Sequence, residues 1–151
     1  MWLAKEYLYN EEFIFLTGDV LYDPLILGRL LDEKEGNIIC VDKKESYTEE
    51  ASKVIVKKGA VFLMGKDLPL QEVSAEFGHI IRFSKQGSKQ LFDKITQFLH
   101  QERFNTYLMD ALNELIDEGA NFVPLDITGH PRIEIDFLED LQYAREKVYP
   151  L

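Results

Sequence analysis

Cysteine is nearly absent from this chain. Cys40 stands alone in the apolar run Ile38-Ile39-Cys40-Val41, so no internal disulfide can form and the thiol reads as a small residue of a buried strand. No apolar run approaches the ~20 residues of a membrane-spanning helix. The N-terminus carries Lys5, Glu6 and Glu11 where a secretory leader would have an apolar core. Positive charge is scarce as well: 17 Lys and Arg against 27 Asp and Glu leave a net charge of −10. That balance excludes a nucleic-acid backbone or an anionic membrane as partner, since both require a basic face. It permits a small anionic ligand held through a metal ion. A reducing cytoplasm is the expected compartment. Glycine is thin too: nine residues lie scattered, and no Gly-x-Gly-x-x-Gly or Walker-type loop occurs, so the chain shows no phosphate cradle of its own. His79, His100 and His130 have no metal-ligand spacing and read as ordinary surface or core histidines.

What is present points to one α/β domain over residues 1–151, with 46% hydrophobic residues to form a core. The chain is organised around Phe13-Ile14-Phe15-Leu16-Thr17-Gly18-Asp19-Val20. Four large apolar residues bounded by glycine predict a strand buried on both faces, as in a parallel sheet. Gly18-Asp19 then delivers a carboxylate to the carboxyl end of that strand, the edge where open α/β sheets bind ligands. A short helix over Met1 to Tyr9 precedes it. Asp23 as N-cap and Pro24 at the first position start a helix to Leu31, with Leu27, Leu30 and Leu31 facing inward.

Asn37 to Val41 is a second buried strand, and Asp42 to Ser52 a polar loop. The period then changes to an antiparallel hairpin, Lys53 to Val56 and Val61 to Met64, turning at Lys57-Lys58-Gly59-Ala60. Glu76 to Phe83 is a further strand. Ser84 caps a helix with Leu91, Phe92, Ile95, Phe98 and Leu99 on one stripe. Another helix from about Asn105 to Glu118, with Tyr107 and Leu112 on its inner face, closes at Gly119. Phe122 to Ile127 is a strand, Ile133 to Asp136 a short extended piece, and the last helix runs to about Lys147. The fold class expected is a mostly parallel sheet with a small antiparallel hairpin insertion.

Asp19 and Asp136 both follow apolar runs and come from separate loops, the donor type for one Mg²⁺, which takes one or two protein carboxylates. Read locally, Asp19 is either such a ligand or a turn aspartate capping its own loop. Lys66, in a Gly-Lys-Asp loop after a strand, is either a point charge for phosphate or a solvated lysine. Glu76 opens a strand and faces either a ligand or water.

The segment Phe15-Leu16-Thr17-Gly18-Asp19-Val20-Leu21-Tyr22-Asp23-Pro24 resembles the metal-binding Gly-Asp segment of the nucleotidyltransferases that make sugar- and choline-nucleotides. Met64-Gly65-Lys66-Asp67-Leu68 resembles their lysine loop, and Glu76 to Ser84 their substrate-pocket strand. Ile133-Glu134-Ile135-Asp136, with Glu139-Asp140-Leu141 and Ala144, resembles the segment bearing the second metal aspartate. The phosphocholine cytidylyltransferase-like branch is the most similar. The resemblance implies a partial Rossmann-like nucleotidyltransferase domain holding Mg²⁺ on Asp19 and Asp136. It also implies Lys66 as a catalytic phosphate contact, with Glu76 and Asp110 binding substrate. The partners implied are a nucleoside triphosphate and a small phosphorylated acceptor, whose phosphate attacks the α-phosphorus and releases pyrophosphate.

Two positions depart from the branch: Met109 stands where an acid is common, and Arg132 where an aromatic is usual. The family's Gly-rich loop has no counterpart before Met1, so the chain is expected to be the C-terminal two-thirds of such a domain. Completion by other residues or a partner is one expectation, and an inactive paralogue serving assembly or regulation is the other. With its neighbouring strands absent, Phe13–Leu16 should lie at a sheet edge and form a homo-oligomer contact or dock a missing piece.

Overall fold

The structure, a computed structural model, describes residues 1–34 and 36–148; the last three positions of the domain range lie outside it. One mixed sheet forms the centre, built from β1 (Phe13–Leu16), β3 (Asn37–Asp42), β4 (Lys53–Lys57), β5 (Ala60–Gly65), β6 (Ala75–Phe83) and β7 (Phe122–Asp126). A two-stranded antiparallel sheet, β2 (Val20–Tyr22) with β8 (Arg132–Glu134), lies apart from it. The helices are α1 (Lys5–Leu8), α2 (Leu25–Asp32), α3 (Lys85–His100), α4 (Leu108–Asp117) and α5 (Leu138–Tyr143), which continues as a π-type turn to Val148. No helix among the described residues is long and apolar enough to cross a membrane.

β6 is the axis of the sheet. β3 pairs along one of its edges, while β1 and β4 share the other, β4 at Ala75–Glu76 and β1 at Ile80–Phe83. β1, β3, β4 and β7 run in one direction and β5 and β6 in the other, so the α/β sheet is mainly parallel in strand direction. Because β6 lies between its neighbours in reverse, β3–β7 is the parallel ladder and the remaining ladders are antiparallel. The hairpin β4–β5 joins this sheet through β4.

Alternation along β3 makes two cores. Ile39 and Val41 pack with Phe77, Ile81 and Phe83 under α3 and α4, whereas Ile38 and Cys40 pack with Ile80 and Leu125 under Ile26 and Leu30 of α2. β1 follows the same rule, with Phe13 and Phe15 against the first core and Ile14 against the second. It is not the fully buried parallel strand expected. It pairs antiparallel along one edge and is half-buried, with Leu16 exposed, because no second described strand flanks it.

Other expectations shift by a residue or a face. Asp23 Oδ1 accepts Leu25 N at 2.9 Å, but from one residue ahead of the N-cap, which is Pro24; the buried stripe of α2 is Ile26 and Leu30, and Leu31 faces solvent. β2 carries no strand signal in the sequence, since three residues become a strand only through their partner. α4 starts at Leu108, which leaves Tyr107 exposed. Ser84 caps α3 by accepting Gly87 N at 3.0 Å, and Gly119 closes α4 at φ +96°, a conformation open to glycine.

Candidate active site

The two-stranded sheet assembles the acidic centre. Ile135 N donates to Asp19 O at 2.8 Å, and Val20 pairs with Glu134, so the turn after β1 and the segment after β8 lie side by side. Carboxylate oxygens of Asp19, Glu134 and Asp136 lie within 4.8 Å of one another. Burial, followed by the charges of Asp136 and Asp19, holds the Glu134 carboxyl above its usual range. Three hard oxygen donors converging here are the donor type that suits a hard divalent cation. Glu134 is the residue sequence reasoning missed. The alternation Ile133-Glu134-Ile135-Asp136 was the available signal, because positions i and i+2 of an extended segment share a face.

A cleft of about 820 Å³ opens beside this cluster and brings together Lys66, Glu76, Arg132, Glu134 and Asp136. Lys66 Nζ meets Glu50 at 3.1 Å, and that contact raises its pKa. Glu76 projects from β6, with its carboxylate held by Arg132 Nη2 at 2.6 Å and Lys44 Nζ at 3.1 Å. Burial would raise the Glu76 carboxyl, but these two cations outweigh it and leave it below its ordinary value. The Arg132 side chain is buried and also faces Asp42 at 3.6 Å. Asp110 lies apart from the cluster. It accepts Tyr107 N at 2.7 Å at the start of α4 and lines an adjoining cavity of about 480 Å³ with Lys66, Leu68 and Met109.

β6 also carries a distortion next to the centre. Between the pairs Ile39–Ile81 and Val41–Phe77, the single β3 residue Cys40 faces Gly78, His79 and Ile80. His79 adopts φ +62°, its ring stacks on Phe77 at 4.9 Å, and Nε2 lies 3.4 Å from Glu134. Burial first, then the Arg132 charge, lowers its pKa to about 4. A neutral imidazole therefore adjoins the acidic cluster, a place its spacing in sequence did not disclose. Bulges of this kind re-aim side chains near sites.

The Rossmann-like sheet with helices on both faces defines the class of fold: it is the fold of nucleotidyltransferases. The inositol-1-phosphate CTP transferase from T. maritima superposes with a TM-score of 0.74 at 24% identity, over 98% of this chain and 57% of that one. A putative glucose-1-phosphate thymidylyltransferase from Bacillus anthracis gives 0.75 at 13% identity, over 99% and 59%. The CTP:phosphocholine cytidylyltransferase from Streptococcus pneumoniae gives 0.72 at 15% identity, over 97% and 61%. These likenesses concern the fold, and the chain spans 57–61% of these neighbours' length. No protein-family model and no curated protein sequence matches the chain.

Proposed function

We propose that the chain is the metal- and acceptor-binding part of a Mg²⁺-dependent nucleotidyltransferase. The reaction joins a nucleoside triphosphate to a small phosphorylated molecule: the acceptor phosphate oxygen attacks the α-phosphorus, the α–β bond breaks, and pyrophosphate leaves. The observation that carries this reading is the convergence of Asp19, Glu134 and Asp136 within 4.8 Å at the mouth of a cleft lined by Lys66. Asp19 and Asp136, with Glu134, would hold the ion, which supplies charge stabilisation to the transferring phosphoryl group. Lys66 contacts phosphate after exchanging its partner Glu50. Glu76 and Asp110 are the proposed substrate contacts. The Arg132 and Lys44 cations on Glu76 disfavour a quaternary ammonium there, so the phosphocholine branch gains no support from the site.

Residues outside this sequence, or a partner, complete the nucleotide side. The free edge of β1 is the proposed contact for a second copy or that missing piece. Phe15 of β1 opens onto an apolar groove of about 440 Å³ with Trp2, Phe98, Phe104 and Tyr107. The buried Cys40 suits the cytoplasm proposed for it. One observation favours a second reading, an inactive paralogue acting in assembly or regulation: Lys66 and Glu76 both have intramolecular partners.

Mn²⁺ binding followed by water-proton relaxation, compared between the unaltered chain and Asp19→Asn, tests the metal. Loss of binding in the variant is expected, and equal binding would refute the assignment. Titration with CTP and a pyrophosphate-release assay with phosphorylated acceptors should show weak binding and little turnover by the chain alone, since positioning supplies much of this catalysis. Brisk turnover would refute the need for completion. Light scattering at micromolar concentration reads the β1 contact, and a stable monomer with slowly exchanging Phe13–Leu16 amides would exclude it.

A further inference from the structure

We infer that Lys53 is a positioning residue for this site: its buried ammonium fastens the loop bearing Lys66 to the loop that walls the cleft. The inference rests on Lys66 being a phosphate contact. Lys53 opens β4 and is 1% exposed. An ammonium is strongly hydrated, and burying it is costly unless its donors find acceptors. All three do. Lys53 Nζ donates to Glu49 O at 2.9 Å, to Ala51 O at 3.1 Å and to Lys66 O at 2.6 Å.

None of these acceptors is a carboxylate, so the group does not serve a salt bridge. The acceptors belong to two loops. Glu50, between the first two carbonyls, is the residue whose side chain meets Lys66 Nζ, and Ala51 and Ser52 continue the cleft wall. Lys53 also pairs with Gly65 across the hairpin and with Glu76 of β6. One cation therefore ties the backbone on both sides of the Glu50–Lys66 contact, a strand away from Glu76. An apolar residue at this position would leave the hairpin intact and both loops free to drift. Displacements of about 1 Å at a phosphate contact are enough to impair binding and catalysis.

Lys53→Met keeps an unbranched stem and removes the donors. In the full chain, Mn²⁺ alone reports on Asp19, Glu134 and Asp136. Inorganic pyrophosphate with Mg²⁺, followed by the amide signals of Gly65 and Lys66, reports on the lysine loop. The variant should bind Mn²⁺ within about twofold of the unaltered chain, as expected for separate sites. It should bind pyrophosphate about tenfold or more weakly. In the unaltered protein, nitrogen–proton spectra should show a slowly exchanging ammonium for Lys53 and none for the exposed Lys66, a signature of the buried tie that does not depend on the variant's folding. Unchanged pyrophosphate affinity in a folded variant would overturn the inference. So would an unaltered chain that ignores pyrophosphate, or a Lys53 ammonium exchanging as fast as that of Lys66. Absence of Mn²⁺ binding by the unaltered chain would instead overturn the metal reading, and the pyrophosphate and ammonium signals still decide the role of Lys53.

Discussion

Replacing Asp136 with Asn should stabilise the metal-free protein and destabilise it relative to the unaltered chain once magnesium is present. The three carboxylates approach within 4.8 Å of one another. At that separation two unit charges repel by about 3.5 kcal/mol at an effective dielectric of ~20, and by about 0.9 kcal/mol in bulk water. Asp19 and Asp136 are exposed and Glu134 is half-buried, so each pair lies towards the lower figure. The substitution removes two pairs, and the attraction of Lys66 across the cleft trims the gain, leaving about 1–2 kcal/mol. For a domain of this size that is a rise in Tm of about 2–8 °C. Magnesium reverses the order, because an ion at a hundred times its Kd adds about 2.7 kcal/mol to a chain that binds it. Thermal unfolding followed by circular dichroism, with chelator and then with magnesium, reads both effects. A lower Tm for the variant in chelator would show that Asp136 makes a stabilising contact instead. An equal magnesium shift in both proteins would place the ion elsewhere.

Three further outcomes can be checked on the fold. Gly78→Ala puts a Cβ 2.8 Å from Cys40 O and 2.9 Å from Cys40 Cβ, where backbone cannot yield. About 1–3 kcal/mol of stability should be lost in urea unfolding, and a negligible loss would contradict the close approach of β6 to β3. At Asp126 burial opposes ionisation, yet Lys43 at 2.8 Å and Thr128 hold the carboxyl at about 2. Its folded value lies below the unfolded one, so its contribution is present above pH ~4 and disappears as pH falls towards 2. Both side chains are exposed, so Asp126→Asn should cost no more than about 1 kcal/mol at pH 7 and nothing near pH 2. Burial pushes the Cys40 thiol up to about 12. It should resist a thiol-disulfide reagent in the native protein and react fully in urea, and native reactivity would contradict its place in the core.

The long apolar stretches were legible because their partners are dictated by period alone. Asn37–Val41 alternates between two cores, and the α3 stripe with its Ser84 cap needs no distant information. What stayed hidden depends on contacts far along the chain. β2 exists because β8 pairs with it, more than a hundred residues later, and β1 reads as buried until its single partner is known. At the site, the proximity of Asp19 and Asp136 rests on the Ile135–Asp19 backbone bond, which no spacing announces. Glu134 was readable from the two-residue period and was overlooked beside Asp136. Lys53 looked like an ordinary hairpin lysine, since burial of its ammonium follows from two loops converging on it.

The two half-edges of β6 bear on the order of assembly. β1 emerges first in synthesis but has no ladder to join until Ile80–Phe83 has been made, and β3 waits for the same strand. The β4–β5 hairpin is the sheet's local pairing, closed by a turn at Lys58 and Gly59. Folding dominated by such distant closures is slow relative to helical domains of equal stability. Pulse-labelled hydrogen exchange should therefore find hairpin amides protected before those of β1. Simultaneous protection of both would mean that the sheet condenses as one unit, with β6 drawing its three partners in together.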